Sequence, residues 1–226
     1  MTKPTKKETP PEEKLTTVLF IRHGENEWTK THKLAGRTPK VHLNEQGRKQ
    51  AEALRKRLAG VKLDALYASP LERTVETAQA IANHHPLEVQ QNPGLLEVDY
   101  GKWTGKKIKK LAKKKSWHTI QHYPSEASFP GGETMYQMQS RFVQEVNRLV
   151  AQHPGQTIAL VGHADLIKSA VANYLGVHFD LFQRIVISTA SITTIAFTPA
   201  GPRVIAVNDT NHNPPAEKPA KKMSKE

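Results

Sequence analysis

The stretch Thr16-Thr17-Val18-Leu19-Phe20-Ile21-Arg22-His23-Gly24-Glu25 joins a short apolar run to a cluster of ionisable side chains. The run is β-branched and almost wholly apolar, the composition of a strand buried on both faces of a parallel sheet. Thr157–Gly162 (TIALVG) repeats that composition and runs into His163. Leu63–Ala68 is a third strand candidate and runs into Ser69-Pro70-Leu71-Glu72-Arg73. Helical spacings alternate with these runs. Ala51, Leu54 and Leu58 predict a helix over 45–58 that stops at Gly60. Leu71, Val75, Ala78 and Ile81/Ala82 predict a second, opened by Pro70 in its first turn. Met135, Met138, Phe142, Val146 and Leu149 mark the longest, and a further helix follows His163 through about Leu175. Leu87–Gln91 reads as a weaker strand. Ser191–Thr198 and Arg203–Asn208, joined by Pro199-Ala200-Gly201-Pro202, read as a terminal hairpin. Strands alternating with helices predict an α/β fold, a three-layer α/β/α sandwich.

Composition narrows the function classes. The 226 residues contain no cysteine, which excludes a disulfide framework, a zinc–thiolate site, a cysteine nucleophile and an iron–sulfur cluster. The longest apolar runs, Val18–Ile21 and Ile158–Val161, are far short of a membrane span. The N-terminal lysines are followed by no apolar h-region, so a cytoplasmic protein is expected. Residues 1–14 and 211–226 are rich in Lys, Pro and Glu without periodicity and read as disordered tails around one domain over 15–210.

The formal net charge is +12, from 33 Lys+Arg against 21 Asp+Glu. Lys102, Lys106, Lys107, Lys109, Lys110, Lys113, Lys114 and Lys115 stand in a stretch without an acid, and the rest of the domain is nearly neutral. Three readings suit that stretch: a solvated face of a short amphipathic helix bearing Ile108 and Leu111, electrostatic attraction of an anionic substrate, or attachment to nucleic acid or an anionic membrane. Only Trp103 and Trp117 flank the lysines, which disfavours stacking on a single strand. His118 and His122 are four apart, as a metal pair would be, but no third ligand is evident.

In open α/β sheets the site forms at the carboxyl ends of the strands. Here those ends offer two histidines (His23, His163), two arginines (Arg22, Arg73) and, in Leu95-Leu96-Glu97-Val98-Asp99-Tyr100-Gly101, the carboxylate of Glu97. Two guanidiniums can each fork onto phosphoryl oxygens. A neutral imidazole is a nitrogen nucleophile near pH 7, and a carboxylic acid can protonate a leaving oxygen and then take a proton from water. Such a set requires no metal or other cofactor.

At these residues the chain resembles the histidine phosphatase superfamily, in its phosphoglycerate-mutase-like branch. The resemblance rests on ordered blocks: Arg22–Glu25, Leu43–Gly47, Ser69–Ala78, Glu97–Gly105, Pro130–Glu133 and His163. It implies a mixed, mostly parallel sheet, His23 as the phosphorylated nucleophile, Arg22, Arg73 and His163 as phosphate ligands, and Glu97 as proton donor. Leu34–Pro39, Val98–Gly101, His163–Lys168 and Phe182–Val186 are similar to a bacterial phosphomutase-like subgroup. Thr29 stands where many members place a phosphate-contacting asparagine. Asp165 stands where a small glycine is common, and could orient His163, deter highly anionic substrates or cap a helix. Glu25 reads as structural. Pro130 follows Glu97 by only 33 positions, without the long insertion of the cofactor-dependent mutases. The resemblance therefore implies a phosphoric monoester hydrolase acting on a small phosphorylated metabolite, with a cap over about 102–130. A phosphomutase is the alternative within the family, and a phosphate- or nucleic-acid-binding protein the alternative outside it.

Overall fold

The computed structural model describes residues 15–214, so most of both expected tails (1–14 and 215–226) lies outside the described residues. In chain order the elements are β1 (Thr16–Arg22), α1 (Glu27–Lys30), α2 (Glu45–Leu58), β2 (Ala65–Ala68), α3 (Glu72–Ala82), β3 (Val89–Gln91), α4 (Ile108–Leu111), α5 (Lys115–His122), α6 (Met135–Gln152), β4 (Thr157–Gly162), α7 (Ala164–Leu175), β5 (Ile192–Thr198) and β6 (Gly201–Asp209). The sheet order is β3-β2-β4-β1-β5-β6. β3, β2, β4 and β1 pair in parallel, while β5 runs antiparallel to both β1 and β6. This is the mixed, mostly parallel sheet with helices on both faces.

Alternation along β1 explains its apolar sequence. Val18 and Phe20 point into a core formed with α6 and α7, where the Phe20 and Phe142 rings meet edge to face at 6.1 Å. Leu19 and Ile21 point to the opposite core, against Leu54 and Leu58 of α2 and Ala78 and Ile81 of α3. Both faces of the strand are covered, so neither can be polar.

The elements depart from the sequence expectations in places with visible causes. Pro70 does not open α3: Leu71 is extended and its carbonyl accepts Thr74 and Val75 N–H, so the helix begins at Glu72. β2 begins at Ala65, after Asp64, whose carboxylate accepts Thr157 N–H at 2.8 Å. Of the eight lysines only Lys109, Lys110 and Lys115 lie in α-helices, in α4 and at the first position of α5. Leu111 and Ile120 are buried on these helices, and all eight lysines are exposed. Residues 211–214, expected to begin the C-terminal tail, pack against the fold: His212 Nε2–H donates to Ala190 O (2.8 Å) and Asn213 Nδ2 to Thr189 O (3.0 Å).

Candidate active site

β1, β4 and β2 are neighbours, so their carboxyl ends bring Arg22-His23, His163 and Ser69-Pro70 to one rim of the sheet. Arg73 reaches this rim from the first turn of α3, and Glu97 from the loop after β3. The five side chains expected to act together share the wall of a single cavity, except that His163 lies just beneath it, fully buried. The cavity measures about 420 Å³.

Backbone contacts set the turn that carries His23. His23 N–H donates to Gly162 O, locking it beside β4. Gly24 and Gly47 lie backbone to backbone: a Cβ on Gly47 would come within 1.9 Å of Glu25 O. The Leu43–Gly47 block therefore serves as the start of a helix pressed against the turn that carries His23. The Glu25 carboxylate accepts from Asn44 Nδ2 at 2.8 Å, and Glu25 is not among the residues lining the cavity.

His23 Nδ1 lies 2.7 Å from Gly24 O. A carbonyl only accepts, so Nδ1 carries the proton and Nε2 keeps its lone pair. Burial, reinforced by Arg73 and Arg22, holds the His23 pKa well below the usual imidazole range. The ring is therefore neutral at physiological pH. His163 packs against it with centroids 5.3 Å apart, and burial with Arg73 lowers its pKa likewise. Arg73 Nη2 stands 3.5 Å from His163 Nδ1, and Ser69 Oγ stands 3.0 Å from Nε2. Because the Ser69 hydroxyl can rotate, His163 can carry its proton on either nitrogen.

The guanidiniums are anchored at one edge and unsatisfied at another. Arg22 Nη1 donates to Ile187 O (2.7 Å) and Arg73 Nη2 to Gly36 O (2.8 Å). Arg22 Nε and Arg73 Nε and Nη1 are buried with no partner among the described residues. Buried donors are rarely left unpaired, and three of them beside two histidines suit the oxygens of a phosphoryl group.

A further donor went unnoticed in the sequence. Asn26 is fully buried, and its Oδ1 accepts the N–H groups of Trp28 and Thr29, which fixes the amide's orientation. Nδ2 is then a buried donor with no partner among the described residues. Thr29 hydrogen-bonds back to Asn26 through its hydroxyl, so its Oγ1 is committed to this reciprocal cap. Only the position of Asn26 three residues past His23 could have signalled it.

Glu97 is held by its backbone. Arg37 Nε and Arg141 Nη2 both donate to its carbonyl, at 2.9 and 3.1 Å, and Glu133 grips both arginines. Glu133 ends the Pro130-Gly131-Gly132 turn, where a Cβ on Gly132 would sit 2.1 Å from Asp99 O. That turn therefore clamps the Glu97 loop. The Glu97 carboxyl lies 3.6 Å from His163 Nδ1. Burial first, then the charge of Asp165, pushes its pKa up to about 7 against the pull of Arg73.

Asp165 does none of the things expected of it through contact with His163 or as a cap. Its Oδ2 accepts Tyr100 OH at 3.0 Å and its Oδ1 faces Lys168 Nζ at 3.4 Å, while α7 starts at His163 with no side-chain cap. None of the eight clustered lysines lines the cavity; Ile108 of α4 and Trp117 and Gln121 of α5 do, as do Lys33 and Lys168. His118 and His122 stack at 4.0 Å on α5, and among the described residues no group of three or more ligating side chains could hold a metal. Nor, among them, is any helix long and apolar enough to cross a membrane.

Comparison with known proteins gives concordant findings. Residues 18–210 match the family model of the histidine phosphatase superfamily (branch 1). Phosphoserine phosphatase 1 of Hydrogenobacter thermophilus is 30% identical over 200 residues, which is 86% of this chain and 93% of that protein. Among solved structures, YhfR of Bacillus stearothermophilus superposes with a TM-score of 0.83 at 27% identity, covering 88% of this chain and 100% of the other. A phosphoserine phosphatase of Entamoeba histolytica, solved with phosphoserine, gives 0.79 at 28% identity, covering 87% and 98%.

Proposed function

The chain belongs to the histidine phosphatase superfamily, and from that membership and the geometry of its cavity we propose that it hydrolyses a small phosphomonoester through a phosphohistidine at His23. One juxtaposition carries this reading: a neutral His23, with Nε2 unprotonated, stands beside two guanidiniums with unsatisfied donors and a carboxyl that is protonated up to neutral pH.

Arg22, Arg73, Asn26 and the Nδ1–H tautomer of His163 bind the phosphoryl oxygens and neutralise charge that spreads over them in the transition state. His23 Nε2 attacks phosphorus and the ester P–O bond breaks. The Glu97 carboxyl gives its proton to the departing oxygen. Water then attacks the phosphohistidine, Glu97 takes its proton, and the N–P bond breaks to release phosphate and neutral His23.

The test is phosphate release from a panel of phosphomonoesters in the presence of chelator. Release from at least one small ester, undiminished by chelator, is expected; none from any ester overturns the reading. Transfer between 2- and 3-phosphoglycerate with little free phosphate would mark a mutase instead.

Glu97 must be protonated to act as the acid in the first step, so kcat/KM for alkyl esters falls as pH rises through about 7. In Glu97→Gln this alkaline limb disappears, and the alkyl-ester rate drops by about 10²- to 10³-fold. An aryl ester, whose leaving group needs less protonation, loses much less. An unchanged limb in the variant would assign the titration elsewhere.

A further inference from the structure

The wall of the cavity beyond the phosphoryl cradle carries an ion pair that the mechanism above leaves unused. Asp165 and Lys168 lie one turn apart on α7, on the same helix face, and both line the cavity. His163, in the cradle, immediately precedes that helix. At about 1.5 Å of rise per residue, Lys168 lies about 7.5 Å along the helix axis from His163, which places it on the wall away from the phosphoryl cradle.

Each group is braced with bonding capacity to spare. Asp165 accepts Tyr100 OH (3.0 Å) and faces Lys168 Nζ at the loose distance of 3.4 Å, leaving lone pairs on a carboxylate that can accept about four hydrogen bonds. Lys168 Nζ donates to Gln183 Oε1 at 3.0 Å. That bond makes Oε1 the accepting end, so the Gln183 NH₂ remains a donor on the same wall. The side chains of Asp165 and Lys168 are only 21% and 17% exposed, so both act in a partly desolvated setting where charge-assisted bonds are strong. The wall presents a minus and a plus side by side, the mirror of a group that carries an ammonium and a carboxylate on one carbon.

We propose that Asp165 and Lys168 select the leaving group, with Asp165 taking a substrate ammonium and Lys168, helped by Gln183, a substrate carboxylate, so that the preferred substrates are O-phosphorylated α-amino acids. This rests on the proposed phosphatase reading for its use in turnover, but the selection itself is a binding property. It goes beyond likeness to phosphoserine phosphatases by assigning the discrimination to two residues.

The test uses ligands that differ by one charge. 3-Phosphoglycerate is phosphoserine with a hydroxyl in place of the ammonium; phosphoethanolamine is phosphoserine without the carboxylate. Affinities are measured by calorimetry in a His23→Ala background, and kcat/KM in the otherwise native chain. Phosphoserine is expected to bind about 10- to 100-fold better than either analogue. Asp165→Asn should abolish the advantage over 3-phosphoglycerate and keep that over phosphoethanolamine; Lys168→Met should do the reverse. Thermal midpoints of both variants confirm folding. Equal affinities for the three ligands, or ratios that survive both substitutions, overturn the proposal. Binding preferences that hold without turnover of any ester would retain the selector and reject the phosphatase reading.

Discussion

Replacing His23 by Asn is expected to lower kcat by about 10⁴-fold or more while leaving the fold intact. The covalent route needs the Nε2 lone pair, and an amide nitrogen offers none; removal of a catalytic nucleophile commonly costs this much or more. Asn can still donate to Gly24 O as His23 Nδ1–H does, so the turn need not shift. Rapid quench of the native chain with labelled substrate should trap a phosphoenzyme stable to alkali and labile to acid, and the variant should trap none. Retained turnover, or a trapped species in His23→Asn, would place the nucleophile elsewhere.

The same substitution has a signature in stability. The His23 and His163 pKa values lie well below 6.5 in the folded chain because both rings are buried beside guanidiniums. As pH falls below about 6.5 the unfolded chain takes up these protons first, so stability present above that pH is lost below it. The slope is about 1.4 kcal/mol per pH unit for each imidazole. His23→Asn removes one of the two contributions, and the acid side of its stability profile should be correspondingly shallower.

The second large effect is expected from Gly47→Ala. A Cβ there meets Glu25 O at 1.9 Å and Glu25 N and C at 2.9 Å. All three are backbone atoms, so no rotamer change relieves the overlap, and either α2 or the turn behind His23 must move. A destabilisation of about 3 kcal/mol or more is expected, or a fall of about 6–12 °C in the melting midpoint for a chain of this size, together with a large loss of activity. Gly60→Ala is the control: nothing lies within 4 Å of its Cβ, and its midpoint should stay within a degree or two. A native midpoint and rate for Gly47→Ala would contradict the close approach.

Much of the fold was legible because it depends on periodicity. β1 and β4 read as buried strands since both faces are covered, and α2, α6 and α7 have the expected extents because each lays one apolar stripe on the sheet. Boundaries set by single contacts were not legible. Asp64 substitutes its side chain for a backbone partner at the start of β2, and Leu71 is the N-cap of α3, whereas Pro70 was expected inside its first turn. In the lysine-rich stretch only Lys109, Lys110 and Lys115 enter helices, and Leu111 and Ile120 are buried on separate short helices, an arrangement its composition does not encode.

By itself the sequence determined which chemical groups stand at the strand ends: Arg22, His23 and His163 follow directly from where β1 and β4 stop, since a strand delivers its next residues to the sheet rim whatever else the chain does. Tertiary structure alone decided their states. It buried the imidazoles so that they stay neutral, raised Glu97 to about 7, left donors of Arg22, Asn26 and Arg73 without partners among the described residues, and set Asp165 beside Tyr100 and Lys168. These properties arise from desolvation and from partners distant in the chain, and no local pattern of residues records either.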